Sequence, residues 1–312
     1  MPLTVAVECL SGCSGCEAAM LDMGTAFMDL LSEVDFVHLP LLMDHKYLET
    51  GEGKRAAVPE ADLGIVSGGI RTREHLELAI LMRKRCRTIV AMGTCAGHGG
   101  VPALANQYSS GEVVRAVCGE EWPAPCGESA LLDRTYSLDE KIEVDFHLPG
   151  CPPHPDYIEM TFRAILEGGM PALPVKSVCD SCPVYREGKG LTKSIGRSTR
   201  SARYELGTPL GRMRCLLEQG FLCMGPVTRG GCGGASGETA PKCIAAGVPC
   251  GGCHGPIRHN GNPLVDMLNA LMSNGVDVRG FPDRQGTLLR FTGAHGRLRK
   301  KAQGPGAPGR RT

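Results

Sequence analysis

Cys13-Ser14-Gly15-Cys16 places two thiols three positions apart, and Cys179-x2-Cys182 and Cys250-x2-Cys253 repeat the spacing. Such a pair suits a redox dithiol, half of a zinc site or two ligands of an iron–sulfur cluster. A redox dithiol needs no distant partner, yet Cys95 stands in a loop with Gly93, Gly97, Gly99 and Gly100, and Cys151 in Pro149-Gly150-Cys151-Pro152-Pro153. The glycines allow close backbone approach, and the prolines stiffen the second loop. The Gly93–Gly100 loop has no GKS or GKT ending, so a phosphate cradle is disfavoured.

Further along come Cys215-x7-Cys223 and Cys232-x10-Cys243-x6-Cys250. With Cys179, Cys182 and Cys253 they supply eight ligands, enough for two more four-cysteine sites. Zinc competes with iron–sulfur here, because all-cysteine zinc sites also use paired CxxC units. Gly225, Gly230, Gly231, Gly233 and Gly234 favour iron–sulfur, since amides bared by small residues can hydrogen-bond to cluster sulfurs. The remaining thiols, Cys9, Cys86, Cys118 and Cys126, have no partner at cluster spacing and read as small hydrophobes. His254 and His259 read as neighbours of the last pair or as surface residues. Asp180 reads as a solvated loop residue, and Arg71 and Arg73 either face an acidic partner or cap their own loop.

Elements that would position these thiols are legible from hydropathy. Strands are expected at Leu3–Val7, Phe36–Leu39, Leu63–Val66, Thr88–Met92 and Val144–Leu148, and helices at Glu17–Leu31, Arg73–Arg85 and Asp156–Leu166. Strand, loop and helix in alternation imply an α/β domain, a parallel sheet with helices on both faces, whose ligands sit beyond the carboxyl ends of the strands. Cys13, Cys16, Cys95 and Cys151 each follow a strand, which predicts one four-cysteine site at the sheet edge. After residue 170 apolar periodicity fades into a smaller, mostly irregular ligand-organised domain, 171–293, with helices expected at Arg212–Gln219 and Pro263–Met272. Residues 294–312 read as a basic flexible tail.

The chain has 312 residues and 16 cysteines, with 34 Lys and Arg against 33 Asp and Glu. Six of the basic residues lie from Ala294 onward, leaving 28 against 33 in the body, so no nucleic-acid surface is expected. No run of eighteen apolar residues encodes a membrane span. Met1-Pro2-Leu3-Thr4-Val5 lacks a charged n-region, an apolar h-region and a twin-Arg pair, so a cytoplasmic location is expected. In a reducing compartment, clustered thiols bind metal more often than they form disulfides.

Three motifs carry a resemblance: Cys13-Ser14-Gly15-Cys16; Gly93-Thr94-Cys95 with Gly99-Gly100-Val101-Pro102; and Leu148-Pro149-Gly150-Cys151-Pro152-Pro153. Together with the run from Cys215 through Cys223-Met224-Gly225-Pro226 to Cys232-Gly233, they resemble the small subunit of nickel–iron hydrogenases over roughly residues 3–290. The likeness is to the cytoplasmic type linked to methyl-viologen or heterodisulfide reduction (F420-non-reducing). The resemblance implies a flavodoxin-like domain, 1–170, holding a proximal 4Fe–4S cluster on Cys13, Cys16, Cys95 and Cys151. It implies a distal cluster on Cys179, Cys182, Cys215 and Cys223, and a medial one on Cys232, Cys243, Cys250 and Cys253. Many exported relatives have histidine at the position of Cys179, and several have proline at that of Cys243 with a 3Fe–4S medial cluster. Here three 4Fe–4S clusters are expected. The twin-Arg leader and C-terminal anchor of exported relatives are not expected.

The function so implied is electron transfer from H2 oxidation, with the nickel–iron site on a large-subunit partner and an iron–sulfur or flavin-containing subunit as acceptor. Glu17, beside Cys16, is a candidate proton relay, although a helix N-terminus favours a carboxylate in any case. Three rivals remain: a sulfhydrogenase-type subunit coupled to an NAD(P) reductase, the single-cluster subunit of respiratory complex I, and a zinc-stabilised interaction module without redox chemistry. The complex I subunit has no need of the cysteines at 179–253.

Overall fold

A computed structural model describes residues 2–44, 48–50, 53–55, 57–119, 127–188, 192–196, 207–236, 239–279 and 283–300. Its main sheet has five strands: β1 (Leu3–Cys9), β2 (Val34–His38), β3 (Ala61–Ser67), β4 (Cys86–Met92) and β5 (Phe146–Leu148). They run parallel in the order β2-β1-β3-β4-β5. This is the flavodoxin-like order, and its strand reversal lies beside β1.

The strands are apolar on both faces because both are covered. Val5, Val7, Leu63, Ile65, Val90 and Met92 pack with Met20, Leu30, Tyr157, Ile158 and Phe162 on one side. Ala6, Val66, Ile89 and Ala91 pack with Leu78, Ala79, Met82 and Leu138 on the other. Alternate residues thus serve opposite layers, as a doubly covered parallel sheet requires. Helix Arg73–Arg85 starts where the Thr72 hydroxyl accepts the His75 amide at 3.2 Å, and ends in Arg83, Lys84 and Arg85, which suit the negative end of the helix dipole. Helix Pro155–Leu166 begins on a proline, tolerated there because its missing N–H has no helical partner.

Residues 178–288 contribute a separate apolar cluster around Leu216, Leu217, Phe221, Met267 and Leu271. The expected helix at Arg212–Gln219 is absent. Leu210–Arg212 forms one 3-10 turn, after which Arg214 pairs with Tyr185 and the Cys215 amide donates to the Tyr185 carbonyl at 2.8 Å. That extended pairing is incompatible with a helix through Cys215. The expected helix at Glu17–Leu31 is two, Gly15–Leu21 and Thr25–Leu30, parted at Gly24, whose φ of 62° no helix continues through.

Among the described residues, further elements have no counterpart among the expected ones. Ser110–Cys118 is a helix with a Ser109/Glu112 capping box, and Ile70–Thr72 pairs antiparallel with Leu131–Tyr136. The start of the C-terminal segment is not a free tail: the Ala294 amide donates to the His98 carbonyl at 3.1 Å, and Ala294 and Leu298 are buried. Those two apolar side chains hold it down despite the basic residues around them. Residues 301–312 lie outside the described residues.

Candidate metal centres

The loops after β1, β4 and β5 converge on the first thiol set. Cys13 follows β1, Cys16 lies in helix Gly15–Leu21, Cys95 in helix Gly93–His98, and Cys151 follows β5. Burial first, and then the charges of neighbouring groups including Cys95, Cys151 and Cys13, push the Cys16 thiol far up. Burial, then the charges of Cys151, Cys13 and Cys9, push Cys95 up to about 12, against an amide hydrogen bond from Val101. Glycine makes the approach feasible: a Cβ on Gly93 (φ 86°) would strike the Cys16 sulfur, and one on Gly100 (φ 54°) the Cys95 sulfur. Thr94 ties the loops together. Its amide donates to the Gly150 carbonyl at 2.8 Å, its hydroxyl oxygen accepts from the Gly150 amide at 3.3 Å, and its hydroxyl donates to the Cys253 carbonyl.

In the second set, burial and the charges of Cys223, Cys182 and Cys215 raise Cys179 to about 12. A Cβ on Gly225 would lie 3.1 Å from the Cys179 sulfur and 3.5 Å from that of Cys223, so the glycine floors both. Burial raises Cys223 to about 11, while amides of Gly225 and Cys250 oppose the rise. In the third set, burial and then Cys243, Cys232 and Cys151 raise Cys253 to about 12. Cys250 is buried and raised by Cys223, Cys253 and Cys243, and Cys232 feels Cys243.

The sets adjoin in a line. Cys253 of the third senses Cys151 of the first, and Cys250 of the third donates its amide to the Cys223 sulfur of the second at 3.3 Å. Four crowded thiols repel one another once ionised, and burial penalises each charge further. Bound metal offsets both penalties, so the donor sets fit iron–sulfur clusters, as they would an all-cysteine zinc site. Sulfur-directed amides at Cys95, Cys182, Cys223, Cys232 and Cys250 match the hydrogen bonding that tunes cluster sulfur.

Other sequence candidates fall as follows. Glu17 is 2% exposed; one carboxylate oxygen accepts from Ser67 and the other is buried without a partner. Cys86 is a buried hydrophobe, whereas Cys118 is exposed and Cys9 lies within the charge field of Cys95; Cys126 lies outside the described residues. Arg71 serves its own neighbourhood, donating to the Leu132 carbonyl at 2.9 Å and the Ser110 hydroxyl at 3.2 Å. Asp180 is a cap rather than a free loop residue, accepting from the Ser177 amide at 2.6 Å. His254 is buried, which lowers it to about 4. His259 instead touches Asp139, a residue no spacing pattern singled out.

A flavodoxin-like sheet with one thiol set at its edge and two more adjoining in succession beyond it defines a metal-binding α/β protein of redox type. The family profile described as NADH ubiquinone oxidoreductase, 20 Kd subunit, matches residues 13–165 and ends before Cys179. A subunit of the vhu F420-non-reducing hydrogenase of Methanocaldococcus jannaschii is 33% identical over 94% of this chain and 96% of its own. The iron-sulfur subunit of the F420-non-reducing hydrogenase of Archaeoglobus profundus is 32% identical over 96% of this chain and 99% of its own. The sulfhydrogenase 2 subunit delta of Pyrococcus furiosus is 27% identical over 84% and 91%. The chain belongs to the family of these F420-non-reducing hydrogenase chains, small subunits of nickel–iron hydrogenases.

Proposed function

We propose that this chain is the electron-transfer subunit of a nickel–iron hydrogenase complex, with three 4Fe–4S clusters: proximal on Cys13, Cys16, Cys95 and Cys151, medial on Cys232, Cys243, Cys250 and Cys253, and distal on Cys179, Cys182, Cys215 and Cys223. The observation that carries it is the line of sets, joined at Cys151/Cys253 and at Cys250/Cys223. Bound there, the clusters supply one-electron carriers whose potentials depend on ligation, burial and hydrogen bonds to sulfur. The residues of this chain partly bury them, aim amides at their sulfurs and fix their order. Glu17 can hold a proton at its unpartnered carboxylate oxygen beside Cys16.

The catalytic site belongs to a large-subunit partner, and electrons leave from the distal set to an iron–sulfur or flavin-containing subunit. Higher identity to the F420-non-reducing hydrogenase chains than to the sulfhydrogenase chain favours the F420-non-reducing type over one coupled to an NAD(P) reductase. A cytoplasmic location goes with this reading; among the described residues no helix is long and apolar enough to cross a membrane. The division into a proximal-cluster domain, 1–170, and a medial and distal domain, 171–293, follows the same grouping of ligands. Iron analysis tests the reading: anaerobically purified protein should hold about twelve irons and a similar amount of acid-labile sulfide per chain, four per cluster. About four irons with stoichiometric zinc overturns it.

A further inference from the structure

Away from the thiols, four of the nine histidines meet around one carboxylate. Asp139 lies in the turn Leu138–Glu140, His147 in β5, His98 at the end of helix Gly93–His98, His259 in the loop after Cys253, and His295 in the C-terminal segment. His259 Nε2 is 2.8 Å from Asp139 Oδ2, and His295 Nε2 is 3.0 and 3.1 Å from Oδ1 and Oδ2. His147 Nε2 is 4.0 Å from Oδ2, and its ring stacks on that of His259 with centroids 4.0 Å apart. His98, buried, lies behind them with its ring 4.7 Å from that of His259.

We propose that Asp139, His259 and His295, with His147 as fourth donor, form a site for one divalent transition-metal cation of the zinc type, which clips the C-terminal segment to the body. Three donor atoms from the carboxylate and two imidazoles already lie within 4.8 Å of one another. Tetrahedral zinc with bonds of about 2.0–2.1 Å to nitrogen and oxygen sets its ligands about 3.3 Å apart. His259 and His295 need only spread slightly from Asp139 to reach that separation, whereas His147, 4.0 Å from Oδ2, has to move in. Three imidazoles and one carboxylate are the donor set of an imidazole-preferring cation, and no thiol competes for it within the group.

His295 adopts φ 56°, in the left-handed region where histidine is among the more frequent side-chain-bearing residues, and from there its Nε2 reaches Asp139. The side chains of Asp139, His147, His259 and His295 are 22–29% exposed, which leaves an entry path from solvent. Arg297, donating to the His259 carbonyl at 3.3 Å, opposes a cation; Asp139 and Glu140 offset its charge.

The test uses the intact complex, freed of loose metal, then loaded with zinc and washed. Wild type should retain one more zinc per chain than His295→Gln or His259→Gln at unchanged iron and sulfide, with affinity at least ten-fold weaker in each variant. X-ray absorption of the zinc so distinguished should show nitrogen and oxygen near 2.0–2.1 Å and no sulfur near 2.3 Å. In wild type alone, zinc should slow hydrogen exchange in residues 257–261 and 294–298, which decides the matter even if a variant fails to assemble. Equal zinc in variants and wild type, sulfur coordination, or unaltered exchange in those two segments each overturns the site.

Discussion

The backbone amide of Cys250 points at the sulfur of Cys223 across 3.3 Å, so a cysteine of one thiol set is hydrogen-bonded to a cysteine of the next. An amide donor stabilises negative charge on sulfur, and here the donor belongs to the neighbouring set. Thr94 makes a comparable link at the other end, between the Gly150 loop and the Cys253 carbonyl. Order along the line therefore rests on individual hydrogen bonds as well as on gross packing.

Cys243→Pro removes one thiolate from the proposed medial set. The iron it holds should be lost, leaving a 3Fe–4S cluster of higher potential, since cluster type and charge help to set it. Hydrogen oxidation with a high-potential dye should survive, while reduction of a low-potential acceptor should fall. Electron paramagnetic resonance of the oxidised variant checks this: a new 3Fe signal is expected, and an unchanged spectrum removes Cys243 from the ligand set.

Gly93→Ala combines a strained φ of 86° with a Cβ that meets the Cys16 sulfur. Strain alone should cost about 1–2 kcal/mol, and displacement of the sulfur adds to it. The variant should lose about four irons per chain, one cluster's complement, with the other sets retained. Iron analysis giving the wild-type count would show that the loop yields without disturbing Cys16.

Thr94→Val keeps the shape of a buried side chain but deletes a donor to the Cys253 carbonyl and an acceptor for the Gly150 amide. Leaving buried backbone groups unpaired should destabilise the fold by about 1–3 kcal/mol. Thermal denaturation of the holoprotein measures the loss, and Thr94→Ser should restore most of it.

Acid should weaken the chain in the absence of added zinc. Burial lowers His147 from 6.5 to about 4, so between those values the unfolded chain binds a proton that the folded chain refuses. Stability then rises with pH across that window and is lost as pH falls through it. Denaturation midpoints should be flat above about pH 7 and fall from about 6.5 toward 4. His147→Gln should reduce that slope, the remainder coming from His254 and His98, which burial also lowers, and an unchanged slope would assign it wholly to other groups.

The twelve thiols, their pairing at close spacing and the strand–loop–helix order that carries Cys13, Cys16, Cys95 and Cys151 to one sheet edge were all legible in the sequence. Apolar runs and CxxC spacing are local patterns, and a parallel sheet places the loops after its strands on one side whatever else the chain does. Helix Arg73–Arg85 was legible to the residue for the same reason, having a cap, a dipole-matched end and a buried stripe within one segment. Tertiary structure alone decided the rest. Cys215 follows an extended path because Tyr185, thirty residues away, takes its amide. The adjacency of Cys253 to Cys151, the bond from Thr94 to Cys253, and the meeting of Asp139 with His259 and His295 join segments about a hundred residues or more apart. Such contacts arise when whole layers pack, and they leave no periodicity for a sequence to display.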